Sequence, residues 1–127
     1  MGQQQLLLIV LGVLLVAIAI AVGLGLFAAQ SIQANKSAII NDLNQIAAYA
    51  NHFRVTTTSM GGGQGSYAGF TIPVTMTSTE NASYASSATS VTVAITATSA
   101  LDPTNTVTVV VNHNGSLGSW TYTGDFQ

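Results

Sequence analysis

Chemistry in a protein of this size needs a nucleophile, an acid–base pair or a set of metal ligands, and the 127-residue chain offers few of the side chains involved. It has two histidines, His52 and His113, and no cysteine. A thiol nucleophile, a disulfide framework, cysteine-ligated zinc and an iron–sulfur cluster are therefore excluded. The histidines fall in different predicted elements, with no carboxylate at ligand spacing from either. Asp102 precedes a turn proline, Glu80 opens a polar loop and Asp125 lies near the C-terminus, so each has a structural explanation. The serines are numerous, but none stands in a nucleophile-elbow context. The sequence predicts no enzyme, no cofactor and no metal site.

Charge is scarcer still. Lys36 and Arg54 are the only cations beside four acids, so charged residues make up 5% of the chain, against about 25% in an average soluble domain. Two cations supply no field to gather phosphates, and direct nucleic-acid binding is not expected. Three N-x-Ser/Thr sequons, at Asn35, Asn81 and Asn114, are candidate glycosylation sites. Their number is near chance for so Asn-, Ser- and Thr-rich a chain, and the Asn114-Gly115 pair is also explained by a hairpin turn. The Ser/Thr stretches at 56–58 and 83–90 are candidate carriers of O-linked sugars, which would supply the hydration that so few charges cannot.

The elements that carry these residues follow from hydrophobic patterning. Leu6 to Ala29 is 24 residues without a polar side chain. As a helix it would be about 36 Å long, enough to cross a hydrocarbon core of roughly 30 Å. It is too long for a signal-peptide core, and its flank, Met-Gly-Gln-Gln-Gln, is uncharged. From Gln30 to Phe53, apolar residues at Ile32, Ile39, Leu43, Ile46, Ala50 and Phe53 follow a helical period, with Gln33, Asn35, Lys36, Asp42, Asn44 and Asn51 on the other face. The spacing predicts one nearly continuous helix over 3–53. Gly23 and Gly25 are its weak point, each costing roughly 1 kcal/mol relative to Ala, so a bend or unwound stretch is expected there.

Residues 55–69, with Gly61-Gly62-Gly63-Gln64-Gly65, read as a loop, either mobile or closely approached by a neighbouring subunit. Beyond it, alternation predicts half-buried strands at Phe70–Thr77 and Val91–Thr98, then at about Thr106–Asn112 and Ser119–Thr123. Asp102-Pro103-Thr104-Asn105 and Asn114-Gly115 mark the turns between neighbours, which makes the strands an antiparallel meander. Tyr67 and Phe70, and Trp120, Tyr122 and Phe126, form two aromatic groups expected to fill the sheet's core. So small a sheet needs a cover, which the amphipathic helix provides. The fold class is α+β: an apolar helix over 1–29, an amphipathic helix over 30–54, a glycine-rich loop over 55–69 and a β-sheet head over 70–127. The apolar helix has nothing in the same chain to bury it.

This arrangement resembles the type IV pilin superfamily across the whole chain, and the run MGQQQLLLIVLGVLLVAIAIA looks like a mature pilin N-terminus. The resemblance implies a structural subunit of a pilus-like extracellular filament at the cell surface, serving adhesion, motility or a biofilm scaffold. Its partners would be many copies of itself, the inner membrane before assembly, and the pilus assembly machinery. It also implies a leader peptide removed before Met1, and assembly contacts through Met1, Gln5, Leu6, Leu7, Leu8 and Ile9. The family usually has glutamate at the fifth mature position, where it neutralises a neighbouring N-terminal ammonium. Here Gln5 can accept a hydrogen bond but cannot cancel a charge. Family filaments often unwind part of this helix near a proline, for which Gly23 and Gly25 are the substitutes here. The alternatives are a single-pass membrane-anchored β-domain that binds a partner without polymerising, and a pseudopilin of a secretion machine.

Overall fold

The computed structural model describes residues 2–127, and Met1 lies outside the described residues. Helix α1 spans Gly2–Val55. Four strands follow, β1 (Ala82–Ala88), β2 (Val93–Ser99), β3 (Thr106–Val111) and β4 (Leu117–Tyr122). Single 3-10 turns lie at Thr58–Met60, Val74–Met76 and Gly124–Phe126. The strands form one antiparallel sheet in the order β1-β2-β3-β4, and the α+β architecture with a helix packed on a four-stranded sheet is as expected.

The chain divides into two compact units, Met1–Gln33 and Ala34–Gln127. The described part of the first is helix alone. The second is a head with its own core. Ile39, Leu43, Ile46, Ala47 and Ala50 of α1 are buried, as are Val93, Ile95 and Ala97 of β2 and Val107, Val109 and Val111 of β3. Each of these two strands buries every second residue, as the pleat requires. Tyr67, Phe70, Ile72, Ala82, Tyr84 and Phe126 complete the core. Ile32 and Phe53, expected on the buried stripe, are only partly covered, whereas Asn35 and Ala47 are buried. Phe53 lies against Phe70 with ring centroids 5.7 Å apart. Trp120 and Tyr122 are half-buried and lie parallel at 6.3 Å, instead of filling the interior.

The first strand is not where alternation puts it. Phe70 and Ile72 do point inward, but Pro73 interrupts the run, Val74 is 88% exposed, and Val74–Met76 is a 3-10 turn. Proline has no N–H to give a sheet ladder and its φ is fixed, which ends a strand that would otherwise continue. The edge is formed by β1, an Ala- and Ser-rich stretch whose pairing with β2 runs from Ala82↔Ser99 to Ala88↔Val93. Val91 lies outside β2 in the Thr89–Thr92 turn and is exposed, and β4 begins at Leu117, two residues earlier than expected.

The glycine-rich loop closes the end of α1. The last turn of any helix leaves its carbonyls without partners. Here Thr56 N and Oγ1 donate to His52 O, Gly63 N donates to Phe53 O at 2.8 Å, and Gly65 N donates to Arg54 O at 2.5 Å. His52 and Arg54 in the same turn also suit the negative end of the helix dipole. The loop runs so close that a side chain at Gly62 would strike the Thr56 carbonyl, and one at Gly63 the Ser66 carbonyl. Gly63→Ala is expected to destabilise the head by about 1–3 kcal/mol through overpacking, read as a lowered unfolding midpoint, whereas Gly12→Ala, where a side chain meets nothing, leaves the midpoint unchanged.

Candidate functional site

Among the described residues no group of three or more His, Asp or Glu lies together in a way that would hold a metal ion. A surface depression of about 430 Å³ is open and lined by Gln45, Ala48, Tyr49 and His52 from one face of α1. The imidazole there has no carboxylate among its lining partners. The Asp102 carboxyl is held below its usual range because the Thr104 N–H and hydroxyl both donate to it, at 3.0 and 2.8 Å. That is the work of a turn, not of a site.

What stands out is the apolar surface of α1. From Leu6 to Phe27 sixteen large apolar side chains are exposed, from 49% at Leu11 to 71% at Phe27. Leu6, Leu7, Leu8 and Ile9, expected to make assembly contacts, are between 63% and 68% exposed, and Gln5 precedes them on the same helix. Met1, the remaining residue of that set, is outside the described residues. A continuous apolar surface of this extent marks a contact with lipid or with protein. The helix is long and apolar enough to cross a membrane, and none of its most apolar window is buried.

Gly23 and Gly25 lie in uninterrupted α-helix, with nothing within 4 Å of where a side chain would start. The unwound stretch expected at this pair is therefore not a feature of the single chain. Propensity costs about 1 kcal/mol per glycine, and each interior peptide still has its helical hydrogen bonds on both sides, so the ladder runs through.

The sequons are placed very differently from one another. Asn35 is 8% exposed, its Nδ2 donates to Asn81 O at 3.1 Å and its Oδ1 accepts from Ser99 Oγ at 2.6 Å. Its amide is a structural strut, and the folded head does not present it as a glycan acceptor. Asn81 is half-buried and donates from Nδ2 to Asp42 Oδ2 at 3.3 Å. Asn114 is exposed at the β3–β4 turn, with Oδ1 accepting from Ser116 N and Oγ at 3.0 and 2.7 Å. Of the three, only Asn114 is an exposed residue.

Asn35 and Asn81 belong to a polar seam between α1 and β1 that composition does not reveal. Asp42, seven residues after Asn35, shares its face of the helix. Its Oδ2 accepts from the Tyr84 hydroxyl at 2.5 Å, from Thr79 Oγ1 at 3.3 Å and from Asn81. Burial, and then the hydrogen bond to Asp42, push the Tyr84 phenol well above its ordinary range.

Comparison with protein-family models, with curated proteins and with solved structures finds no match. The reading of this surface therefore rests on its own physics.

The Tyr84 shift has a direction that can be measured. An unfolded tyrosine releases its proton near pH 10, while the folded head holds it to higher pH. The unfolded chain thus gains from ionisation first, so this contribution is intact below about pH 10 and is lost as pH rises beyond it. Denaturant midpoints of the full chain should fall above pH 10. Tyr84→Phe should flatten that fall, while losing about 1–3 kcal/mol at neutral pH through the missing hydrogen bond to the carboxylate.

Proposed function

We propose that the chain is a structural subunit that polymerises through residues 6–29 into a pilus-like extracellular filament, with the same helix held in a membrane before assembly. The observation that carries this reading is the exposure of all sixteen large apolar side chains between Leu6 and Phe27. Lipid covers such a surface in a membrane, and neighbouring copies of the helix cover it in a filament core. Exchanging one for the other changes little in hydrophobic free energy, so close packing at small residues such as Gly12, Ala17, Ala19 and Ala21 sets the spacing between helices. The pilin-like order of elements, a helix followed by a small antiparallel sheet, supports the same reading. Adhesion, motility and a biofilm scaffold are the uses this filament would serve. On assembly Gly23 and Gly25 are the positions at which the helix gives way most readily, since neither is held by a packed neighbour.

The length of the apolar helix also favours a second reading, a β-domain anchored by one membrane pass that never polymerises. The two differ in where the mature protein is found. Shearing cells that make the chain should release long fibres visible by electron microscopy, with this polypeptide as their bulk component. Leu14→Asp places a charge in the middle of the apolar segment, at a cost of about 2.5–3.5 kcal/mol in a membrane, and should abolish the fibres while leaving the head's unfolding midpoint unchanged. Recovery of the wild-type chain only as a detergent-solubilised monomer would exclude polymerisation and leave the anchored domain.

A further inference from the structure

The two edges of the sheet are finished differently. Between β3 and β4 the pairing shifts register from Thr108 to Val110, and Ser119 of β4 takes a φ of +53°. A bulge of this kind twists an edge away from regular pairing. β1 has no such break. Its seven residues pair in sequence with β2, and it contains neither proline nor a charged side chain. No charged residue lies anywhere between Glu80 and Asp102.

The outer side of β1 is covered only from Ala82 to Tyr84. There Tyr84 N donates to Thr77 O at 2.8 Å, Thr79 N donates to Ala82 O at 2.9 Å, and Ser78 bridges Ser83. Backbone groups alternate in direction along an antiparallel strand, so Ser86 and Ala88, in phase with Ala82 and Tyr84, also turn theirs away from β2. Among the described residues these groups have no backbone partner. The side chains follow the same change, since Ala82 and Tyr84 are buried while Ser86 and Ala88 are half-buried. The preceding segment is out of phase to complete the edge. Continuing the Ser78–Ser83 pairing backwards would set Met76 opposite Ala85 and Val74 opposite Ser87, on the exposed face of the sheet. A strand slipped by one residue turns its apolar side chains to solvent, and Pro73 stops it there.

We infer that the open edge at Ser86–Ala88 is a site of strand addition between two copies of the chain, each offering the same edge to the other. An extended strand is the partner such an edge fits, because main-chain hydrogen bonds carry the contact. A second β1 is the strand this chain has to offer, since β4 is interrupted and two copies of β1 bring no like charges together. The register follows from the groups that are free. With a two-fold axis at Ser87, Ser86 of one copy faces Ala88 of the other and each such pair exchanges both its hydrogen bonds. An axis at Ser86 would instead set Ala88 against Tyr84, whose N–H already belongs to Thr77. The axis stands perpendicular to the sheet and reverses every direction in its plane, that of the helix packed on the sheet included. Copies related by a helical rise keep one direction along a fibre, so this contact joins separate fibres. Its use between fibres rests on the filament reading, whereas the pairing itself does not. A ladder this short is weak singly, and the many copies along two fibres multiply it.

The test uses the full chain, which has no cysteine, carrying Ser87→Cys at the axis. Two residues at this position would form a non-hydrogen-bonded pair with Cα atoms about 4.5 Å apart, within the span of a disulfide, about 4.4–6.8 Å. Ser83→Cys and Thr121→Cys, at positions also exposed, are the controls. In detergent solution with diamide as oxidant, where pairing does not need fibres, Ser87→Cys should dimerise about tenfold faster than either control, because its thiols are held together. Adding Ser86→Pro removes an outward N–H without breaking the β1–β2 ladder, and should bring the rate down to that of the controls. Among sheared fibres, electron microscopy should show bundles for the wild-type chain and single fibres for Ser87→Lys, which sets like charges opposite each other. Fluorescence of Trp120, the single tryptophan, checks that each head is folded. If Ser86→Pro is not, Ala85→Lys, at an exposed position of the same strand, takes its place. Equal rates for the three cysteine variants, or a Ser87→Cys rate unmoved by the edge substitution, would overturn the pairing whether or not fibres form. Wild-type fibres that lie singly would overturn its use between fibres. Cross-linking in detergent with no fibres on cells would keep the pairing and remove the filament reading.

Discussion

The structure depends on one unmet requirement: the apolar surface of α1 between Leu6 and Phe27 has to be kept from water. Sixteen large side chains there are roughly half to two-thirds exposed. Left in water they would cost on the order of 20 kcal/mol or more, beyond the whole stability of an ordinary domain, about 5–15 kcal/mol. The core of the head is complete without this segment, so folding of the head does not relieve the problem. The molecule is thus a folded domain joined to a helix whose apolar surface the head does not bury, and any account of its function has to begin with what covers that surface.

The head solves a smaller problem by different means. Four short strands and half of a helix bury few large side chains, and the apolar contacts are supplemented by a polar seam. Asn35 and Asp42 reach from α1 to Asn81, Tyr84 and Ser99, with partners for each of the groups brought under cover. Such a network specifies one seating of the helix on the sheet, because sliding it by a turn would strand buried donors and acceptors. The glycine loop adds a second fixed point by closing the last turn of the helix. Together these devices let a chain with 5% charged residues hold a defined tertiary structure.

The same scarcity of charge gives each ionised group unusual weight. Asp42 works inside the seam and Lys36 is engaged with the C-terminal segment. Arg54, near the end of the same helix, donates to Asn51 Oδ1 at 3.1 Å and lies over the Tyr67 ring.

Much of this was legible in the residues alone. The long helix, the packing of its second half on a small antiparallel sheet, and the Asp102–Asn105 and Asn114-Gly115 turns are local signals, carried by periods of 3.6 and 2 and by residues with strong backbone preferences. The apolar run from Leu6 to Phe27 is equally local, since its length and composition are read without reference to any other element. Tertiary structure decided the rest. Phe70 to Met76 has a strand's alternation, yet Pro73 stops it, and Ala82 to Ala88, poor in strand formers, becomes the edge because β2 offers it a ladder. Asn35 has the pattern of a surface sequon, yet it is buried because Ser99 and Asn81, far away in sequence, supply its hydrogen bonds. The glycine run reads as slack until the carbonyls of Phe53 and Arg54 are seen to need its N–H groups. In each case the deciding partner lies outside the window over which a sequence pattern can be read, and a hydrogen bond to that partner outweighs a local preference worth about 1 kcal/mol or less.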